Sequence, residues 1–182
     1  MLSFKQVDRI VEQKNSGAEK LKKKVWLVGS IVALIVLGIY LLVFFKPPLE
    51  VGAIFTDGDK KSVVVSVGNK GLQHVKILDV KVNNNNKPDE TKIQVSNNLL
   101  GFTISHDFDS PEAAEFNFTD PEEVVINTGT SPTDNYKKMD NGTATVDDEI
   151  YGISVLYPTA IFKVDITYSY LGIPFNETVV LN

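Results

Sequence analysis

The stretch FKVDITYSY, residues 162–170, decides the fold. Phe162, Val164, Ile166, Tyr168 and Tyr170 alternate with Lys163, Asp165, Thr167 and Ser169. A period of two sends the apolar set to one face and the polar set to the other, as in an antiparallel strand with one buried face. LGIP (171–174) then turns the chain, and FNETVVLN (175–182) returns as a second strand.

The same period recurs upstream. VGAIFT (51–56) and SVVVSV (62–67) flank DGDKK, whose Asp57-Gly58 supports a hairpin turn. Val63, Val65 and Val67 face one way; Ser62, Val64 and Ser66 face the other. After the turn GNKG comes HVKILDVKV (74–82), with Val75 and Ile77 in one phase and Val80 and Val82 in the next. That change of parity at Leu78-Asp79 predicts a bulge. NNNNKPDE (83–90) reads as a polar turn. Shorter strands are predicted over Lys92–Val95, Leu100–Ile104, Ala114–Phe118 and Glu123–Ile126, and another in YGISVLY (151–157). The region 127–149, NTGTSPTDNYKKMDNGTATVDDE, is rich in turn formers without an apolar period and reads as a long surface loop. Eight or nine short strands and no helix imply an all-β domain, an immunoglobulin-like antiparallel β-sandwich, with a β-barrel as the runner-up.

Upstream of this domain the pattern is of another kind. Val25–Phe45 is uncharged and, as a helix, roughly 31 Å long, about one hydrocarbon core. Lys22, Lys23, Lys24 and Trp26 mark one membrane interface, and Phe44, Phe45 and Lys46 the other, before Pro47-Pro48 ends the helix. A cleaved secretion signal has a shorter apolar run and small residues at its cleavage site; YLLVFFKPPLE offers none. The segment therefore reads as a permanent single-pass anchor. Lys20 and Lys22–Lys24 place the N-terminus in the cytoplasm and the C-terminal domain outside. The organisation is a basic cytoplasmic head (1–24), a transmembrane α-helix (25–45), a linker (46–50) and an extracytoplasmic domain (51–182). Gly29 and Ala33 have the spacing that seats a partner helix, a spacing that also arises by chance. In the head, Phe4, Val7, Ile10 and Val11 follow Ser3 at helical spacing. Three readings stay open there: a short amphipathic helix on the inner leaflet, a docking segment, or an unordered tail.

Charge follows the same division. Residues 1–24 carry seven basic and three acidic side chains, whereas 47–182 carry ten lysines against twenty carboxylates. A domain so acidic is no nucleic-acid binder, because phosphate recognition needs clustered cations. The chain has no Cys, which excludes disulfides, thiolate metal sites, a Cys nucleophile and lipid attachment through Cys.

Few residues suggest chemistry, and no cofactor is implied. SHDFDSPE gathers His106, Asp107, Asp109 and Glu112, oxygen-rich enough to suggest Ca²⁺, but the EF-hand pattern is absent and a solvated loop outweighs it. Asp57/Asp59 and Asp147–Glu149 are weaker still. A Ser-His-Asp site would need His74 or His106; His74 points away from the core side, and Ser105 and His106 fall on opposite faces. There is no nucleophile elbow and no phosphate loop, so no enzyme is expected. Asn141, Asn117 and Asn176 head N-x-T sequons, Asn141 in the long loop.

SVVVSVGNKGLQHVKILDVKV (62–82) resembles the front hairpin, and FKVDITYSYLGIPFNETVVLN (162–182) the closing hairpin, of Ig-like domains of prokaryotic envelope proteins such as the CARDB-like group. One N-terminal helix plus one external sandwich is also similar in layout to the stator-associated proteins of the archaeal motility filament. Neither resemblance carries a functional residue. The anchor, the external sandwich and the lack of a catalytic motif lead to the expectation of a membrane-anchored, non-catalytic protein that binds or braces another protein at the cell envelope, with the lipid bilayer as its other partner. Two alternatives remain: an accessory subunit of a membrane complex for secretion, motility or transport, contacting partners through helix and head, and a small ligand- or Ca-binding receptor or hydrolase.

Overall fold

A computed structural model describes residues 22–41 and 47–181. The chain divides after Lys46 into two units. Residues 1–21 of the basic head, and Phe44, Phe45 and Lys46, lie outside the described residues.

In the first unit, Lys22–Leu41 forms helix α1, with a mean hydropathy of 2.2 and none of its apolar stretch buried. At 1.5 Å per residue it is about 30 Å long, enough to cross a hydrocarbon core. Lys22, Lys23, Lys24 and Trp26 occupy its first turns.

The second unit is built from nine strands in two antiparallel sheets. One contains β1 (Leu49–Thr56), β2 (Ser62–Asn69), β7 (Glu149–Leu156), β4 (Glu90–Asn97) and β5 (Phe118–Thr119), in the order β1-β2-β7-β4-β5. The other contains β6 (Val125–Ile126), β3 (Val75–Val82), β8 (Lys163–Tyr170) and β9 (Ile173–Val180), in the order β6-β3-β8-β9. The sheets supply a common apolar core: Val63, Val65, Ile93, Ile153 and Val155 from the first, and Val75, Val82, Val164, Ile166 and Tyr168 from the second, all fully buried. Two separate sheets with free edges make a sandwich-like fold, so the barrel reading falls.

The hairpins β1–β2 and β8–β9 form as the turn residues predict. The bulge in β3 appears at the predicted place, where the register shifts between Ile77 and Asp79. The front hairpin does not form. β2 pairs with β1 and β7, and β3 pairs with β6 and β8, so the turn GNKG carries the chain from one sheet to the other. Phe162 falls outside β8 and is 58 % exposed, because Lys163 is the first residue to pair. The predicted linker is also too long: Pro48 and Leu49 are buried, and Lys70 N–H donates to Pro48 O at 3.0 Å.

Between β4 and β7 the differences are larger. Leu100–Ile104 forms no strand. Ala113–Glu115 is a 3-10 turn, with β5 only at Phe118–Thr119, and β6 is cut to Val125–Ile126. The long loop contains a second helix, α2 (Pro132–Asp140). Ser131 caps it, its Oγ accepting from Asp134 N–H, and Pro132 takes the first turn, where a missing N–H costs nothing.

The β8–β9 turn rests on Leu171 and Gly172, with φ of +53° and +76°. Positive φ at both central residues is the type I′ hairpin geometry, which favours Asn-Gly and disfavours a branched side chain. Leu171 is 56 % exposed and has no packing role to offset that strain. Leu171→Asn should raise stability by about 1 kcal/mol. Chemical denaturation reads this as a higher midpoint at unchanged slope.

Candidate functional site

Ser62, Val64 and Ser66 face away from the core, yet each is at least nine-tenths buried. What covers Ser62 and Val64 is the irregular segment after β4. Ser96 Oγ donates to Gly101 O at 2.6 Å, and Ser62 Oγ to Ser105 O at 2.6 Å. Between them Gln94 clasps Thr103: its Nε2 donates to Thr103 O at 2.8 Å, and its Oε1 accepts from Thr103 N–H at 3.0 Å. The polar alternation of the sheet thus binds a backbone strap rather than water. The strap lies close because residue 152 is glycine: a Cβ there would sit 2.9 Å from the Phe102 ring and 2.8 Å from Val64 Cγ1.

Helix α2 covers the same face beside β1. Glu50 Oε2 accepts from Ser131 Oγ at 2.6 Å, and Oε1 accepts from Thr133 Oγ1. Partial burial alone would raise the Glu50 pKa. The two hydroxyl donors, with Lys70 nearby, prevail and hold it below the usual carboxylate range. At the other end of the helix, Lys138 Nζ lies 2.5 Å from Asp148 Oδ1. Tyr136 OH accepts from Ala53 N–H at 3.3 Å, within the irregular register of β1 between Val51 and Ile54.

Strap and helix leave a cleft of about 270 Å³ between them. Phe55, Phe102, Tyr136 and Met139 wall it, the two phenylalanines 6.1 Å apart between ring centroids. Ser66, Asn98 and Ile150 also line it. Asn98 is 7 % exposed, and its Nδ2 has no hydrogen-bond partner. The sequence held one signal for this site: Ser131-Pro132 as a helix start, with Pro132, Tyr136 and Met139 four and three residues apart on one helical face.

The groups singled out from sequence lie elsewhere. His106 Nε2 is 3.5 Å from Asp57 Oδ2. Asp107 Oδ1 accepts from Asp109 N–H at 2.9 Å, and Ser105 Oγ donates to Asp107 O, not to a histidine. Among the described residues no three His, Asp or Glu side chains are grouped to hold a metal ion. Clustering in sequence does not become a cluster in space, because the four side chains of the Ca²⁺ candidate, His106, Asp107, Asp109 and Glu112, are all exposed on an irregular segment. His74 is exposed, as its alternation with Val75 predicts. Asn117, Asn141 and Asn176 are exposed; Asn141 ends α2, and Asn176 lies in β9, accepting from Thr167 Oγ1 at 2.9 Å.

The long outer strands differ. β1 is irregular in register and tied to α2, two of the ways an edge is closed to further pairing. β9 pairs only with β8 over eight residues and presents Asn176, Thr178 and Val180 outward. Pro174 blocks only its start. No protein-family model matches the chain, and no curated protein and no solved structure matches it significantly.

Proposed function

We propose that the chain is a single-pass membrane protein whose extracytoplasmic, immunoglobulin-like domain binds or braces another envelope protein, without catalysis. The observation that carries this reading is the open edge of β9 beside the closed edge of β1. An unpaired edge strand is a template for a strand of a partner, with backbone hydrogen bonds giving affinity and alternate side chains giving specificity. The immunoglobulin-like assignment draws support from strand order. Relabelled in chain order, β1-β2-β7-β4 follows A-B-E-D and β3-β8-β9 follows C-F-G, with strap, β5, β6 and α2 inserted between D and E. The anchor reading draws support from the length of α1 and from Lys22, Lys23 and Lys24 at its start.

Two measurements test it. Because the chain has no Cys, Leu72→Cys gives a unique thiol at a position 89 % exposed. A membrane-impermeant maleimide should label it in intact cells; labelling only after permeabilisation overturns the topology. A photo-crosslinking side chain at Asn176, also exposed on β9, should yield a discrete adduct, and the same group at Leu72 should not. The paired change Thr178→Lys, Val180→Lys should abolish that adduct while leaving the melting temperature within about 2 °C, since both side chains are exposed. An adduct that survives both lysines removes β9 from the reading. If the adduct instead depends on residues 1–45, the accessory-subunit alternative takes its place.

A further inference from the structure

The cleft between α2 and the strap has features that the edge-strand reading does not use. Its walls are apolar and aromatic, and one lining residue, Asn98, carries a buried donor without a partner. Asn98 is held in place by its backbone, whose N–H donates to Asp148 O at 3.1 Å. Its side-chain Nδ2 is buried without a partner, a condition that costs stability and is rare unless a ligand or water completes it. Asn135, also on the cleft lining, is already committed: its Nδ2 reaches Glu149 O at 3.4 Å. A cavity of roughly 150 Å³ takes a benzene ring. About 270 Å³ has room for a ring bearing a short substituent. Phe55, Tyr136 and Met139, 40–50 % exposed, form the rim, and a thioether beside aromatic rings adapts to a flat guest.

We propose that this cleft binds a small aromatic molecule carrying a hydrogen-bond acceptor, such as an aromatic ester or ketone, with the ring between Phe55, Phe102 and Met139 and the acceptor oxygen on Asn98 Nδ2. The walls supply affinity by burying the ring. Asn98 supplies selection, because a guest without an acceptor leaves the amide unpaired. The site lies on the outer face of the first sheet, whereas β9 is in the second, so it is independent of edge pairing.

The absence of Cys makes a direct test possible in the full chain, reconstituted in bilayers. Ile150→Cys places the only thiol on the cleft lining, at a half-buried position that serves as the rim thiol and leaves Met139 in place; Leu72→Cys serves as the remote control. Methyl benzoate should slow modification of the rim thiol by a charged methanethiosulfonate at least about fivefold at saturation, without slowing that of Leu72→Cys. Isopropylbenzene, of similar size but without an acceptor, should bind about three- to tenfold more weakly, the worth of one buried hydrogen bond. Asn98→Asp keeps the shape but replaces the donor with a carboxylate oxygen, and should erase the preference for the ester. Equal slowing at both thiols, or none at the rim, overturns the site. Equal binding of the two probes to the chain with Asn98 intact overturns the role of Asn98, whether or not the aspartate variant folds.

Discussion

Asn69→Ala is expected to lower the stability of the domain by about 3 kcal/mol, more than any surface change in it. Asn69 ends β2 in the turn read from sequence only as GNKG. It is fully buried. Its Nδ2 donates to Gln73 O at 2.8 Å and to Ile126 O at 3.0 Å, and its Oδ1 accepts from Gly71 N–H at 2.8 Å. Its backbone is equally engaged: the N–H donates to Thr130 Oγ1 at 3.1 Å, and the carbonyl accepts from Gly129 and Thr130 N–H. One residue therefore joins the first sheet, the crossing to β3, strand β6 and the approach to α2. Alanine would strand three backbone groups, each losing about 1 kcal/mol where water cannot replace the amide. For a domain of this size the loss corresponds to a fall of roughly 10 °C in melting temperature, followed by near-ultraviolet circular dichroism of the buried tyrosines. A fall of less than about 3 °C would show that water takes the place of the amide. Asn69→Asp should not rescue it, since a carboxylate would face the carbonyls of Gln73 and Ile126.

Gly68→Ala should be comparably damaging for a different reason. A Cβ at this position would lie 1.9 Å from Thr130 O and 2.6 Å from Pro132 Cδ. The obstacle is backbone rather than the end of a flexible side chain, so no rotamer change relieves it. The segment Thr130–Pro132 must move off β2, which withdraws Ser131 from Glu50 and loosens the start of α2. The expected cost is about 3 kcal/mol, at the upper end for an overpacked site. Hydrogen exchange distinguishes this from a general loss of stability. Amides of α2 should exchange markedly faster under native conditions while those at the centres of β7 and β8 keep the protection set by global unfolding. Uniform acceleration in all three elements would contradict a local displacement.

Much of the domain was legible because its strands are local patterns. In β8, Val164, Ile166, Tyr168 and Tyr170 are buried and the residues between them are half-buried, as the alternation predicts. The bulge at Leu78-Asp79 was legible too, because a change of parity within one strand has no other cheap explanation. The site was hardly legible. Asn98 and Ile150 are far apart in sequence and carry no motif. Asn135 sits among turn formers that mask a nine-residue helix. The acidic run His106–Glu112 was the more conspicuous stretch, and among the described residues no three of its side chains are grouped to hold a metal ion.

The sequence by itself determined that this chain has an apolar helix followed by a mostly β domain, since a period of two and an uncharged run of helical length are properties of consecutive residues. It determined the two tight hairpins for the same reason. Which strands share a sheet was decided only by the tertiary structure, and so was the covering of the outer face. Ser62, Gln94 and Ser96 have the alternation of a solvated face, and small polar side chains read alike whether they meet water or a backbone. The partners that bury them, Ser105, Thr103 and Gly101, stand 43, 9 and 5 residues away. Periodicity says which way a side chain points; only the packed chain says what is waiting there.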